Sequence, residues 1–153
     1  MVKIFGKGFS LVELMLFIGI ISLLALVALP SYRNFILRAE FIETKLAVGA
    51  IKVSFEVCAQ MLGLSKVRNC QHNSYGIPAI KNAAKGIVSV ELTSTIFDAD
   101  ASEAVKGGDQ VQIIASAPSD SENAGETYTL TATIKANGRV EWDKGKCSKA
   151  ELC

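Results

Sequence analysis

Within GKGFSLVELMLFIGIISLLALVALPSY, residues 6–32, the run from Phe9 to Leu29 holds a single charged side chain, Glu13. As a helix this run of roughly 21 residues is about 30 Å long, enough to span the hydrocarbon core of a bilayer. A transmembrane helix is therefore the first reading. A cleaved signal peptide, an ordinary membrane anchor and a buried core helix compete with it. Lys3 and Lys7 suit a signal peptide, but the apolar region is too long for one, and Ala28, Leu29 and Pro30 form a poor cleavage site. An ordinary anchor accounts for everything except Glu13. A carboxylate inside the apolar zone costs up to about 3 kcal/mol on insertion scales, so it needs a reason to be there.

Composition divides the 153-residue chain in two. Hydrophobic residues make up 50% of it and the mean hydropathy is +0.32, with the excess concentrated between Phe9 and Pro30. The remaining length suits one domain with its own core. With 16 Lys and Arg against 15 Asp and Glu, the formal charge of +1 provides no global field for nucleic acid or anionic lipid. The four cysteines, Cys58, Cys70, Cys147 and Cys153, all lie outside the apolar run, and their spacing matches no C-x-x-C metal or redox unit. An even number favours structural disulfides in an oxidising compartment. Three connectivities exist, and short loops favour Cys58 with Cys70 and Cys147 with Cys153.

KGFSLVEL, with Gly8 followed by Phe9 and Glu13 fifth from that junction, resembles the processing signal of type IV pilins and the related secretion pseudopilins. The likeness continues through the apolar run, Pro30, SYRNFILRAE and the late cysteine pair. It implies that a prepilin peptidase cuts between Gly8 and Phe9 and N-methylates Phe9. The leader MVKIFGKG is then removed, its lysines having held that end on the cytoplasmic side. The short leader and the phenylalanine after the cut resemble the IVa kind. Cleavage creates an α-amino cation at the head of an apolar helix, and two buried opposite charges are far cheaper paired than alone. Within one chain the carboxylate points sideways from the first turn, whereas in a staggered stack the amine of an incoming subunit can meet the Glu13 of its neighbour. Glu13 is thus expected to set assembly register. Where pilins commonly carry a glycine eight residues before the proline, this chain has Ser22, with Gly19 earlier. Pro30 lacks an N–H and is expected to kink or partly melt the helix.

Beyond Pro30, apolar residues continue at helical spacing in two stripes. Phe35, Ala39, Ile42, Leu46, Gly49 or Ala50, Val53 and Val57 form one, and Phe41, Val48, Ile51 and Phe55 form another lying roughly opposite. One stripe is expected to pack on the chain's own sheet and the other to await neighbouring subunits. The helix is expected to end near Leu62 and Gly63. Residues 63–86 read as a long irregular loop pinned by Cys58 and Cys70. His72, the only histidine, has no second nitrogen ligand and reads as a polar loop residue. Strands are expected at 87–96, 110–117, 127–136 and 139–142, with Asn137-Gly138 predicting a type I′ hairpin. Asp98, Asp100, Asp109, Asp120 and Glu122 lie in acidic connections without EF-hand spacing, so these read as solvated loops. Lys144, Lys146 and Lys149 cluster in the tail, residues 142–153; without interleaved aromatics they read as ordinary surface, with DNA or receptor contact as the rival reading.

The expected fold is α+β: a long N-terminal helix whose first half spans the membrane and whose second half packs on a four-stranded antiparallel sheet. The domain division is a leader, 1–8; a transmembrane and filament-core helix half, 9–30; and a globular head, 31–153. No catalytic constellation, metal site or cofactor motif is present in the sequence. The resemblance implies a pilus subunit that polymerises with other pilin subunits, with Glu13 and Pro30 as assembly residues. It also implies as partners the prepilin peptidase and the inner-membrane assembly machinery. The subunit would wait in the inner membrane with its head in the periplasm, then enter an extracellular fibre serving adhesion, twitching motility or DNA uptake. The rival readings are a minor pilin that binds DNA or a receptor and a type II secretion pseudopilin.

Overall fold

The computed structural model describes residues 8–78, 82, 84–98 and 105–153; Lys3, Lys7 and Asp100 lie outside them. The helix α1 runs from Leu11 to Leu62, and the chain divides into two compact units between Ile36 and Leu37.

In the first unit, the Leu14 N–H donates to the Ser10 carbonyl at 3.2 Å, and Glu13 lies in the first turn of α1, where the helix terminus favours an anion. An 18-residue window with mean hydropathy 2.7 makes α1 long and apolar enough to cross a membrane, and none of that window is buried. Its polar exception, Ser22, donates its hydroxyl to the Ile18 carbonyl at 2.7 Å, so the group is satisfied within the helix. Pro30 lies inside α1, which continues through it; of the expected kink or partial melting, the structure shows no melting. The proline removes one N–H donor from the helical ladder, and the Leu- and Ala-rich run before it favours the helix that continues through it.

In the second unit α1 turns Phe41, Thr44, Val48, Ile51, Phe55, Cys58 and Ala59 inward. From Phe41 to Cys58 the spacings alternate between three and four residues, and Ala59, four after Phe55, widens the same buried stripe. They face an antiparallel sheet in the order β1 (Ser89–Thr93), β2 (Gln110–Ser116), β3 (Thr127–Ile134) and β4 (Val140–Trp142). Period-two alternation buries Val111, Ile113 and Ala115 of β2 and Leu130, Ala132 and Ile134 of β3. The register sets Val111 beside Ala132 and Ile113 beside Leu130, while threonines of β3 occupy the other face. The inward strand residues and Val48, Ile51, Phe55, Cys58 and Ala59 of the helix stripe form one core with Leu92, Val67 and Ile77.

The helix ends as expected: the Gly63 N–H donates to the Ala59 carbonyl at 2.9 Å, and Gly63 takes φ 70°, a left-handed conformation that glycine adopts without strain. Three local expectations are corrected. The loop after α1 begins with a 3-10 helix, Leu64–Asn69, which buries Val67. The first strand is shorter than 87–96: it starts at Ser89, after Ile87 bridges to Ala84, and it stops before Ser94, whose hydroxyl accepts the Ile96 N–H at 3.3 Å and donates to the Gln110 carbonyl, opening the short helix α2 (Thr95–Asp98). The β3–β4 turn is not type I′. Gly138 has φ 79° but Asn137 is not at positive φ, the Gly138 N–H donates to the Lys135 carbonyl, and the Lys135 N–H donates to Arg139. That is a type I turn followed by a left-handed glycine, with Asn137 Oδ1 accepting the Arg139 N–H at 3.1 Å. A fifth strand, β5 (Lys146–Cys147), pairs with β3 and draws the tail onto the sheet.

Candidate functional site

The helix surface left over after the core is formed follows directly from the two-stripe sequence. Opposite the buried face, Ile42 is 50% exposed, Leu46 70%, Val53 59% and Met61 74%, with Val57, Gly49 and Ala50 also exposed. In the first unit Phe35 is exposed, as are Phe9, Gly8, Glu13 and Pro30. Scattered exposed apolar residues are ordinary, but a continuous stripe at helical spacing is a surface suited to packing another helix.

The buried face is fastened by several polar contacts. Trp142 packs edge-on against Phe55 with centroids 6.2 Å apart, and its Nε1–H donates to Glu56 Oε1 at 2.5 Å. Lys52 Nζ stands 5.4 Å from the Trp142 ring centroid, a cation–π distance. Lys45 Nζ donates to the Leu152 carbonyl at 2.5 Å, and buried Asn123 donates through Nδ2 to the Leu37 carbonyl at 2.8 Å. Leu152 packs with Phe41 and Ala117, so the chain's last turn belongs to a second small core. Each of these joins residues remote in sequence, and pattern reading identified none of them.

Both disulfides join sequence-local pairs, Cys58 with Cys70 and Cys147 with Cys153. The first ties the 3-10 segment to the end of α1, and both of its cysteines are fully buried. The second closes the tail beside β5. The tail lysines do not form a uniform basic patch. Lys149 Nζ lies 2.6 Å from Glu126, whose other carboxylate oxygen accepts the Ser148 hydroxyl at 2.5 Å. Lys149, and after it Ser148, hold the Glu126 carboxyl below its ordinary range. Lys144 and Lys146 are exposed. Among the described residues no cluster of His, Cys, Asp and Glu is arranged to hold a metal ion.

An apolar N-terminal helix packed by its second part on an antiparallel sheet, with a disulfide-closed tail, is the α+β fold of the pilin class. The likeness to type IV pilins read from the sequence is matched by several curated proteins. The chain is 34% identical over 83 residues to the type IV pilus subunit protein TapA of Aeromonas hydrophila, covering 54% of this chain and 56% of that one. It is 32% identical over 92 residues to the prepilin peptidase-dependent protein D of Escherichia coli K12, covering 55% and 62%. With the fimbrial protein EcpC of Eikenella corrodens the identity is 28% over 146 residues, covering 95% of this chain and 74% of that protein. The chain thus spans somewhat more than half the length of the first two of these relatives. No family model matches it.

Proposed function

We propose that the chain is a structural subunit of a type IV pilus, held in the inner membrane by α1 with its head in the periplasm and then polymerised into an extracellular fibre. The observation that carries this reading is the division of α1 in the second unit: one apolar face is used up by the chain's own sheet and the other is left bare. The uncovered apolar segment from Phe9 to Leu29 needs a bilayer or other helices around it. In this reading prepilin peptidase cuts between Gly8 and Phe9 and N-methylates Phe9, the assembly machinery extracts the subunit, and other pilin subunits are its main partners. Glu13 receives the Phe9 amine of a neighbouring subunit and fixes the stagger, and Pro30 shapes the packed helix. Nucleic acid contact through exposed Lys144 and Lys146 stays the rival reading, with Lys149 already engaged by Glu126.

Mass spectrometry of sheared surface material is expected to recover a chain beginning at N-methylated Phe9. Recovery of the intact leader only, from membrane and never from fibres, would overturn the proposal. The variant Glu13→Ala is expected to be cleaved and inserted normally but to yield few or no filaments. Normal filaments from it would remove the register role while leaving the pilin reading in place.

A further inference from the structure

His72 lies in the loop after the first disulfide, and its ring spans two chain segments. Nδ1 is 2.6 Å from the Pro78 carbonyl, and Nε2 is 2.8 Å from the Leu92 main-chain nitrogen. A main-chain N–H can only donate, so Nε2 must carry the lone pair, and the proton must be on Nδ1, where it donates to Pro78. One neutral tautomer satisfies both bonds. The protonated ring cannot accept from Leu92, because both of its nitrogens are then donors.

The location gives this bond its weight. Among the described residues β1 stands at the edge of the sheet and pairs with β2 only, so the outward N–H of Leu92 belongs to a strand edge. His72 fills that edge position with a side chain in place of a further strand. The loop is compact around it: the Ser74 N–H donates to the Gln71 carbonyl, the Ile77 N–H to Ser74 and the Asn73 N–H to Ile77. Asn73 and Tyr75 both adopt positive φ, 63° and 50°, a conformation costly for a tyrosine that the surrounding contacts must hold in place. The groove beside the ring is lined by Gln71, Glu91, Thr93, Ser94 and Phe97 as well as Leu92. Among the described residues its charged member is Glu91 of β1; the 3-10 segment carries Lys66 and Arg68, neither of which lines the groove, and α2 contributes Phe97.

We infer that His72 is a pH-sensitive latch: neutral, it fastens the loop over the edge of β1, and protonated, it releases the Leu92 N–H and loosens residues 71–76 from the sheet edge, while buried Ile77 and Cys70 keep the two ends of that segment in place. This adds a conformational response to a part of the chain that the pilus reading leaves without a role, and it does not depend on that reading.

Two measurements on the full-length chain in detergent micelles test it. The ring nitrogen shifts of His72 at pH 7.5 are expected to report the Nδ1–H tautomer; an Nε2–H tautomer would overturn the inference. Amide exchange at Leu92, corrected for the intrinsic pH effect, is expected to lose at least about tenfold in protection between pH 7.5 and 5.0, while Ile113 in β2 keeps its protection. In His72→Gln, whose side-chain carbonyl can accept the same N–H and does not titrate, Leu92 protection is expected to be independent of pH over this range. Unchanged protection in the native chain, or the same loss in the Gln variant, would refute the latch. Should the Gln variant not fold, the tautomer and exchange data on the native chain decide the matter.

Discussion

Replacing Thr44 with valine is expected to stabilise the second unit, although a polar-to-apolar change in a helix carrying an exposed apolar stripe looks unpromising from sequence. Thr44 is fully buried on the inner face of α1, between Phe41 and Val48, and its Oγ1 has no hydrogen-bond partner among the described residues. A hydroxyl removed from water without compensation costs about 1–3 kcal/mol. Valine keeps the β-branch, so helix propensity and rotamer freedom change little. The methyl that replaces the hydroxyl adds at most about 0.8 kcal/mol of burial, offset in part by its larger size in a packed site. The net expectation is a gain of about 1–2 kcal/mol. Trp142, the chain's only tryptophan, touches Phe55 in the same core and provides the fluorescence signal for urea unfolding. With a slope of about 2 kcal/mol per molar urea, the midpoint should rise by roughly 0.5–1 M. Thr44→Ser keeps the hydroxyl and loses the methyl, so it should fall about 1 kcal/mol below the native chain. The order valine above threonine above serine is the signature. A valine midpoint equal to or below the native one would show that the hydroxyl is satisfied, and the reasoning would fail.

Gly107→Ala should cost about 1–3 kcal/mol in the same assay, because a Cβ there would sit 2.8 Å from the main-chain nitrogen of Ala136 and backbone must move to admit it. Removing the Cys58–Cys70 bond with paired alanines should lower stability by about 3 kcal/mol, and removing Cys147–Cys153 by about 2, from loop entropy; equal and negligible losses would show that neither crosslink constrains the unfolded chain. The Glu126 carboxyl is held below its ordinary value by Lys149 and then Ser148, so its contribution is present above about pH 4.5 and is lost as pH falls through the lower folded value. Exchange at Ser148 N–H, which donates to the Thr127 carbonyl, should therefore quicken in acid relative to its intrinsic rate. Lys149→Ala should weaken that dependence, and an unaltered acid profile in the variant would refute the assignment.

What could be read in the sequence was whatever has a short period. The two stripes of α1 were visible because a helix repeats every 3.6 residues, and the structure buries Phe41, Val48, Ile51 and Phe55 while leaving Ile42, Leu46, Val53 and Val57 exposed. The middle strands were visible for the same reason at period two. The reading went wrong where a side chain redirects the backbone. Ser94 looks like one more β-compatible residue in IVSVELTSTI, yet its hydroxyl serves the Ile96 N–H and turns the chain into α2. Asn137-Gly138 signals a hairpin correctly, but three residues rather than two make the loop, because Asn137 spends its side-chain oxygen on the Arg139 N–H instead of adopting positive φ.

The contacts that hold the tail and loops to α1 have no period at all. Lys45 in the helix has an ordinary exposed-flank spacing, and nothing near it in sequence anticipates the Leu152 carbonyl it meets 107 positions later. Asn123 stands in an acidic, serine-rich connection that composition assigns to solvent, yet it is buried and bonded to Leu37. These single polar anchors matter because the helix's apolar inner face specifies burial but is nearly indifferent to small shifts along its axis, whereas a hydrogen bond to one named carbonyl is not. Lys45 to Leu152, Asn123 to Leu37 and Trp142 to Glu56 therefore fix where along α1 the tail, the β2–β3 connection and β4 must sit. The helical period sets the spacing of Ile42, Leu46, Val53, Val57 and Met61 on the outer face, and the inner-face anchors set where that row stands relative to the sheet and tail.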